Sequence, residues 1–269
     1  MRDAQNTALL ALAYHITDKK SYLKQAKKYL LAWAGAHQPN GHPINETRLE
    51  GFLWAYDLLY CEFNATEHRI IKIWLLNLQS NKHNWKFGSS SGKNNLRTHQ
   101  LKILLMLDRL LEDEKSLNAD KETLRQHLDK NLLQDGISVD YEERDALHYH
   151  VYNLEPWLEI ALLEPQYFPR VKASYDYLIK QVKDGNIHNQ FANSKQKIDT
   201  KRAKGGFSYA KKGGSFDTQR ITRSVISFNT LSKEEMDKET LKYLSKKKAQ
   251  QSLLFHYIRY ALWEIPEDE

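Results

Sequence analysis

Residues 8–33 read ALLALAYHITDKKSYLKQAKKYLLAW. Apolar side chains at Leu9, Leu10, Leu12 and Ala13, and again at Tyr22, Ala26, Tyr29, Leu30 and Trp33, recur with the 3.6-residue period of an α-helix. The polar break Thr17-Asp18-Lys19-Lys20 separates the two runs, so the segment reads as a helical hairpin. The same pattern continues along the chain. After the turn-rich loop His37–Pro43, helical spacing resumes over 46–60 and then over about 66–80, 96–112, 120–134, 142–162, 168–184, 216–230 and 233–262. Short connections between these stretches imply a succession of helical hairpins and an all-α fold.

Composition agrees. The 269 residues are 41% hydrophobic and 28% charged, near the averages of globular proteins and far from those of disordered chains. With 11 Gly and 6 Pro the chain is too poor in turn-formers for a many-stranded sandwich or barrel. No window approaches the roughly 18 consecutive apolar residues of a transmembrane helix, so membrane insertion is not expected. A lone Cys61 excludes an internal disulfide and a multi-cysteine zinc site. Lys and Arg exceed Asp and Glu to give a formal charge of +6, which attracts a polyanion of any kind. The basic residues form no recognisable nucleic-acid motif, and no nucleic-acid partner is expected. The opening MRDAQNTALLALAYHI lacks the three-part pattern of a signal peptide.

Two stretches interrupt the helices. One is the Gly/Ser loop Trp85–Asn95; the other is the polar, Lys-rich run Asn189–Gly214. Loops of that length in a helical protein tend to carry function. The Lys195–Lys212 cations are either a solvated loop or the rim of a polyanion cleft. Beyond residue 230 the composition shifts, and Ser232 with Glu235 fits a capping box opening a peripheral C-terminal helix. The expected organisation is therefore a main helical domain over 1–230 and a helical extension over 231–269.

Polar residues concentrate at two places. In Asn94-Asn95-Leu96-Arg97-Thr98-His99, Asn95 and His99 are four apart at the start of a helix and share a face. Asn94 or Asn95 could equally be an N-cap and His99 a satisfied surface histidine. In Asp140 to Pro156, a continuous helix would align Arg144, His148 and Tyr152 on one face and Tyr141, Asp145 and Tyr149 on the next. Histidine transfers protons near neutral pH, tyrosine does so when a cation lowers its pKa, and arginine supplies the cation and can fork onto a carboxylate. His148 and His150 cannot both face one cleft from successive helical positions. No HExxH or Cys/His spacing is present, and i, i+2 histidines suit one metal poorly, so no metal or cofactor is expected.

At these two motifs the chain resembles the alginate lyase superfamily, helical-toroid polysaccharide lyases that cleave uronic-acid polymers by β-elimination. Paired asparagines followed by a histidine, and an arginine upstream of Tyr149-His150-Val151-Tyr152 and Pro156, match the family's motifs in type and order. Ala11–Tyr14, the hairpin through Trp33, Pro43–Leu59 and the segment Phe191–Ala203 resemble further family segments, so the likeness spans most of residues 1–230. Leu96 stands where one branch has its histidine, and the spacing to His99 is closer to a branch with Asn-x-x-[Ser/Thr]-His.

The resemblance implies an (α/α) toroid, an incomplete barrel of helical hairpins, and an acidic polysaccharide as substrate. It implies that Asn95 and Arg144 neutralise the uronate carboxylate, that Tyr149 shuttles a proton at O4, and that His99 acts as base or tunes Tyr149. Asn94, His148, His150 and Tyr152 would orient the sugar, and Lys201 and Arg202 would hold neighbouring uronates. A periplasmic or secreted setting follows, as does the expectation that the toroid lacks its first hairpin and the secretion signal. Two alternatives stay open. One is a glycoside hydrolase using carboxylates among Asp140, Glu142, Glu143 and Asp145; the other is a polyanion-binding module without activity.

Overall fold

The computed structural model describes residues 2–232 and 237–244. Among these residues the protein is all-α; the β pairing present consists of the isolated bridges Leu132–Ser138 and Gln190–Gly214. The chain divides into two compact units, Met1–Gly92 with His99–Arg125, and Lys93–Thr98 with Gln126–Glu269.

The first unit opens with the expected hairpin, α1 (Arg2–Thr17) and α2 (Lys20–Ala36). Asp18 ends α1 by adopting the left-handed conformation at φ 51°, its N–H donating to the Tyr14 carbonyl. Ala4, Ala8, Ala11 and Leu12 of α1 and Leu23, Ala26 and Leu30 of α2 are buried, so small side chains bring the helices close. The helix expected over 46–60 is divided into α3 (Pro43–Thr47) and α4 (Glu50–Leu58). His42 caps α3, its Nδ1 accepting from the Ile44 and Asn45 N–H groups. Gly51 of α4 lies so close to the Ala4 carbonyl that any Cβ would collide with it, which lets α1 and α4 pack tightly. α5 (Ala65–Asn84) begins with a full capping box between Asn64 and Glu67. Each fully buried Leu or Phe of this core is worth roughly 1.5–3 kcal/mol.

α6 (Asn95–Leu110) and α7 (Glu114–Asn131) contribute residues to both units. α7 starts earlier than the expected residue 120 because Asp113 accepts the Ser116 N–H and caps it. In the second unit, α8 (Val139–Arg144) and α9 (Leu147–Leu163) replace the single helix expected over 142–162. α10 (Phe168–Lys183) packs on α9, and α12 (Thr222–Ser232) packs on both, with Tyr175 stacked on Phe228 at 3.8 Å. The run Asn189–Gly214 is not wholly loop: it contains α11 (Lys197–Lys204). Within 233–262, the described residues contain α13 (Lys238–Leu241), capped by Asp237 and followed by a turn, so the helix is not continuous through 237 or 242–244. The Ser232–Glu235 capping box and most of the 231–269 extension lie outside the described residues. No described helix is long and apolar enough to cross a membrane.

Candidate active site

The second unit's site begins at the break between α8 and α9. Ser138 caps α8 by accepting the Tyr141 N–H on its hydroxyl. Asp145 then turns left-handed (φ 51°, ψ 48°) and Ala146 extends (φ −150°) before α9 starts. Asp is among the few residues that visit the left-handed region readily. The segment 190–195 holds the break in place: the Phe191 N–H donates to the Asp145 carbonyl at 2.7 Å, and Asn193 donates twice to Asp145 Oδ2 at 3.0 Å. Gln190 Oε1 accepts the Leu147 N–H, and the Lys195 N–H donates to the Glu143 carbonyl. Arg144 is therefore not on the helix of His148 and Tyr152, and the expected i, i+4, i+8 face does not exist. The Tyr141-Asp145-Tyr149 face is lost for the same reason.

The break has a chemical consequence. Arg144 lays its guanidinium over the Tyr149 ring, 3.9 Å from the centroid, while pairing with Asp199 of α11. Arg202, one turn along α11 from Asp199, donates to the Tyr149 hydroxyl and lies 3.7 Å from Asp199 Oδ1. Ser194 fixes the other Asp199 oxygen at 2.7 Å. Tyr149 is thus held between two arginines, beside Phe191 and Ala210 in a small apolar cluster. Burial raises its pKa, and the lowering effect of Arg144 and Arg202 does not overcome that. The hydroxyl therefore keeps its proton. Arg144 thus pairs with Asp199 and at the same time lies on the Tyr149 ring.

His148 stacks on Tyr209, with ring centroids 4.1 Å apart, and meets Tyr149 edge-on at 5.0 Å. Burial, joined by Arg220, Arg202 and Arg144, pushes its imidazole down to about 3, so it is neutral. His150 is fully buried between Ser138 Oγ, at 2.9 Å, and the Ser174 carbonyl, at 3.0 Å. Both of its ring nitrogens are thus engaged inside the protein. Tyr152 is half-buried one turn beyond His148, and Lys201 is exposed on α11.

The Asn motif opens α6 as expected. Asn94 Oδ1 accepts the Leu96 N–H, the capping role that its residue type allows. Asn95 donates its backbone N–H to Asp140 Oδ2 at 2.8 Å and its side-chain amide to Asp140 Oδ1. Burial pushes the Asp140 carboxyl up to about 7 against these two hydrogen bonds. Thr98 is buried in a polar network: its hydroxyl meets His127 at 2.9 Å and Asn153 at 2.8 Å, and Asn131 links Asn153 to Trp157. His99, one turn along α6 from Asn95, is buried and pairs through Nδ1 with Thr47 Oγ1 at 3.0 Å within the first unit.

Asp199, Tyr209 and Arg220 are contacts that the sequence motifs did not single out, and Asp140 was read there only as a candidate hydrolytic carboxylate. Asp199 had one local signal, its i, i+3 spacing to Arg202; the others come together only in three dimensions. Three of the four carboxylates considered for hydrolysis have side-chain partners: Asp140 with Asn95, Asp145 with Asn193, and Glu143 with Lys93 and Gln196.

The second unit of this all-α protein thus carries a protonated tyrosine between two arginines, a neutral histidine and an amide oriented by a carboxylate. The alginate lyase family model matches residues 1–167, more than half of the chain. The chain belongs to that family of polysaccharide lyases, with the helical-toroid fold class that goes with it. The matched region holds α6, α8 and the Tyr149 helix; α11, with Asp199 and Arg202, lies beyond it. No curated protein matches the chain.

Proposed function

We propose that the protein cleaves a 4-linked polyuronate, alginate or a close relative, by β-elimination without a metal, leaving an unsaturated uronate at the new non-reducing end. The observation that supports this most directly is the Tyr149 hydroxyl held by Arg202 with Arg144 on its ring. Elimination removes the C5 proton, forms the C4–C5 double bond and breaks the C4–O4 bond; O4 must gain a proton as it leaves. Tyr149, protonated at rest, supplies that proton, and Arg202 stabilises the tyrosinate that results. His99 is the proposed base at C5, and Asn95, oriented by Asp140, donates to the carboxylate as charge develops on it. In this reading Arg202 and Lys201 of α11 hold neighbouring uronates, and His148, Tyr152 and Asn94 orient the sugar. A periplasmic or secreted setting suits such a substrate.

The test is a lyase assay on alginate, polyglucuronate and a glycosaminoglycan. Appearance of the ultraviolet absorbance of the conjugated unsaturated uronate on one of them is expected. Its absence on all three would overturn the reading, and release of saturated reducing ends would indicate hydrolysis.

A further inference from the structure

Within the first unit, three helices bring one imidazole and two carboxylates together. His83 stands at the C-terminal end of α5, Asp108 on α6 and Asp120 on α7. One ligand atom from each lies within 4.8 Å of the other two. His83 Nε2 is 2.8 Å from Asp120 Oδ2. Asp108 is fully buried, whereas the His83 side chain is 36% exposed and gives the group an edge open to water. Gln79 fixes Asp108 from the far side: its Nε2 donates to Asp108 Oδ1 at 2.8 Å and also to Asp113 Oδ2 at 3.2 Å. Asp108 Oδ2 is left buried with no hydrogen-bond partner.

Such an arrangement is costly for the protein alone. A buried carboxylate oxygen without a donor forfeits its hydration, and a second carboxylate beside it adds repulsion. A divalent cation would satisfy the orphan oxygen and both negative charges at once. One imidazole nitrogen with two carboxylate oxygens, and no thiolate, is a Zn²⁺-type donor set completed by water. Ca²⁺ would require six or more oxygens, which these side chains do not offer.

We propose that His83, Asp108 and Asp120 form a divalent-metal site, best matched to Zn²⁺, that clamps α5, α6 and α7 together. Asp108 lies nine residues beyond His99, roughly 14 Å along α6, so the ion acts on the helix that carries His99 rather than on the substrate. Its effect is on stability.

The protein, stripped with a chelator and dialysed, is titrated with Zn²⁺ by calorimetry and melted with and without it. One equivalent is expected to bind and to raise Tm by a few degrees. His83→Gln, at the exposed position, is expected to weaken binding at least tenfold and remove the shift while leaving the metal-free Tm nearly unchanged. Asp108→Asn should also abolish the shift, without lowering the metal-free Tm, because it relieves the carboxylate pair. Absence of Zn²⁺ binding to the wild type would mean that Asp108 and Asp120 merely share a proton. An undiminished Zn²⁺ response in both variants would place the ion on other histidines. Either result overturns the proposal.

Discussion

Tyr149 owes its environment to residues on three elements: Arg144 at the end of α8, Arg202 on α11 and His148 beside it on α9. Burial keeps the proton on the hydroxyl; in the proposed reaction the arginines would stabilise the tyrosinate left when O4 takes it. Tyr149→Phe removes the proton and little else. Its kcat on the preferred polyuronate is expected to fall by about 10³-fold or more with KM within about threefold, measured by the ultraviolet product assay. Retained turnover would move the proton to Tyr152 or His99. A second residue-scale prediction concerns His150, which burial pushes down to about 4, opposed by its bond to the Ser174 carbonyl. A folded-state pKa below the ordinary 6.5 stabilises the native protein above pH 6.5, and that contribution is lost as pH falls toward 4. The stability difference between wild type and His150→Asn should therefore be greatest above pH 6.5. It should narrow by about 1.4 kcal/mol per pH unit on acidification, as followed by denaturant unfolding. A gap independent of pH would show that His150 does not stay neutral. The histidine's residue type was legible in the sequence; that both its nitrogens face buried serines was not.

At the scale of elements, the decisive feature is the break at Asp145-Ala146. Periodicity alone favours one helix through Arg144, His148 and Tyr152, because nothing local forbids it: the region contains no Gly, and its Pro156 lies further on. The interruption is specified by residues nearly fifty positions away, Phe191 and Asn193, which take the carbonyl and carboxylate of Asp145. Asp145→Gly preserves the left-handed turn and loses the Asn193 bonds, so it should cost about 1–2 kcal/mol. Asp145→Val adds the steric penalty of a β-branched residue at positive φ, roughly 1–2 kcal/mol more. It should also lower kcat further than the glycine variant does, since Arg144 no longer reaches Tyr149. Unfolding midpoints and turnover of the two variants check this, and equal effects would mean that the turn itself is unimportant. The hairpin of α1 and α2 is the opposite case. Its helices and its turn at Thr17–Lys20 are both written locally, in apolar spacing and in an aspartate that tolerates the left-handed stop.

For the whole molecule, the formal charge of +6 and an acidic polymer substrate lead to a further expectation. Raising ionic strength from about 10 mM to about 500 mM shortens the Debye length from about 30 Å to a few ångströms. KM for the polyuronate should then rise several-fold while kcat changes little; a salt-insensitive KM would mean that cationic attraction does not contribute to binding. The charge was readable from the sequence, but not its local use: Arg144 is neutralised by Asp199, whereas Lys201 remains exposed. By itself the sequence determined the all-α class, most of the helices and the two motifs of the candidate site, because helix period, capping and residue chemistry act over a few neighbouring residues. Only the tertiary structure decided that Tyr149 stays protonated between two arginines, that Asn95 is aimed by Asp140, and that His83, Asp108 and Asp120 meet. Burial and charge pairing depend on side chains brought together from distant parts of the chain, and no local pattern encodes them.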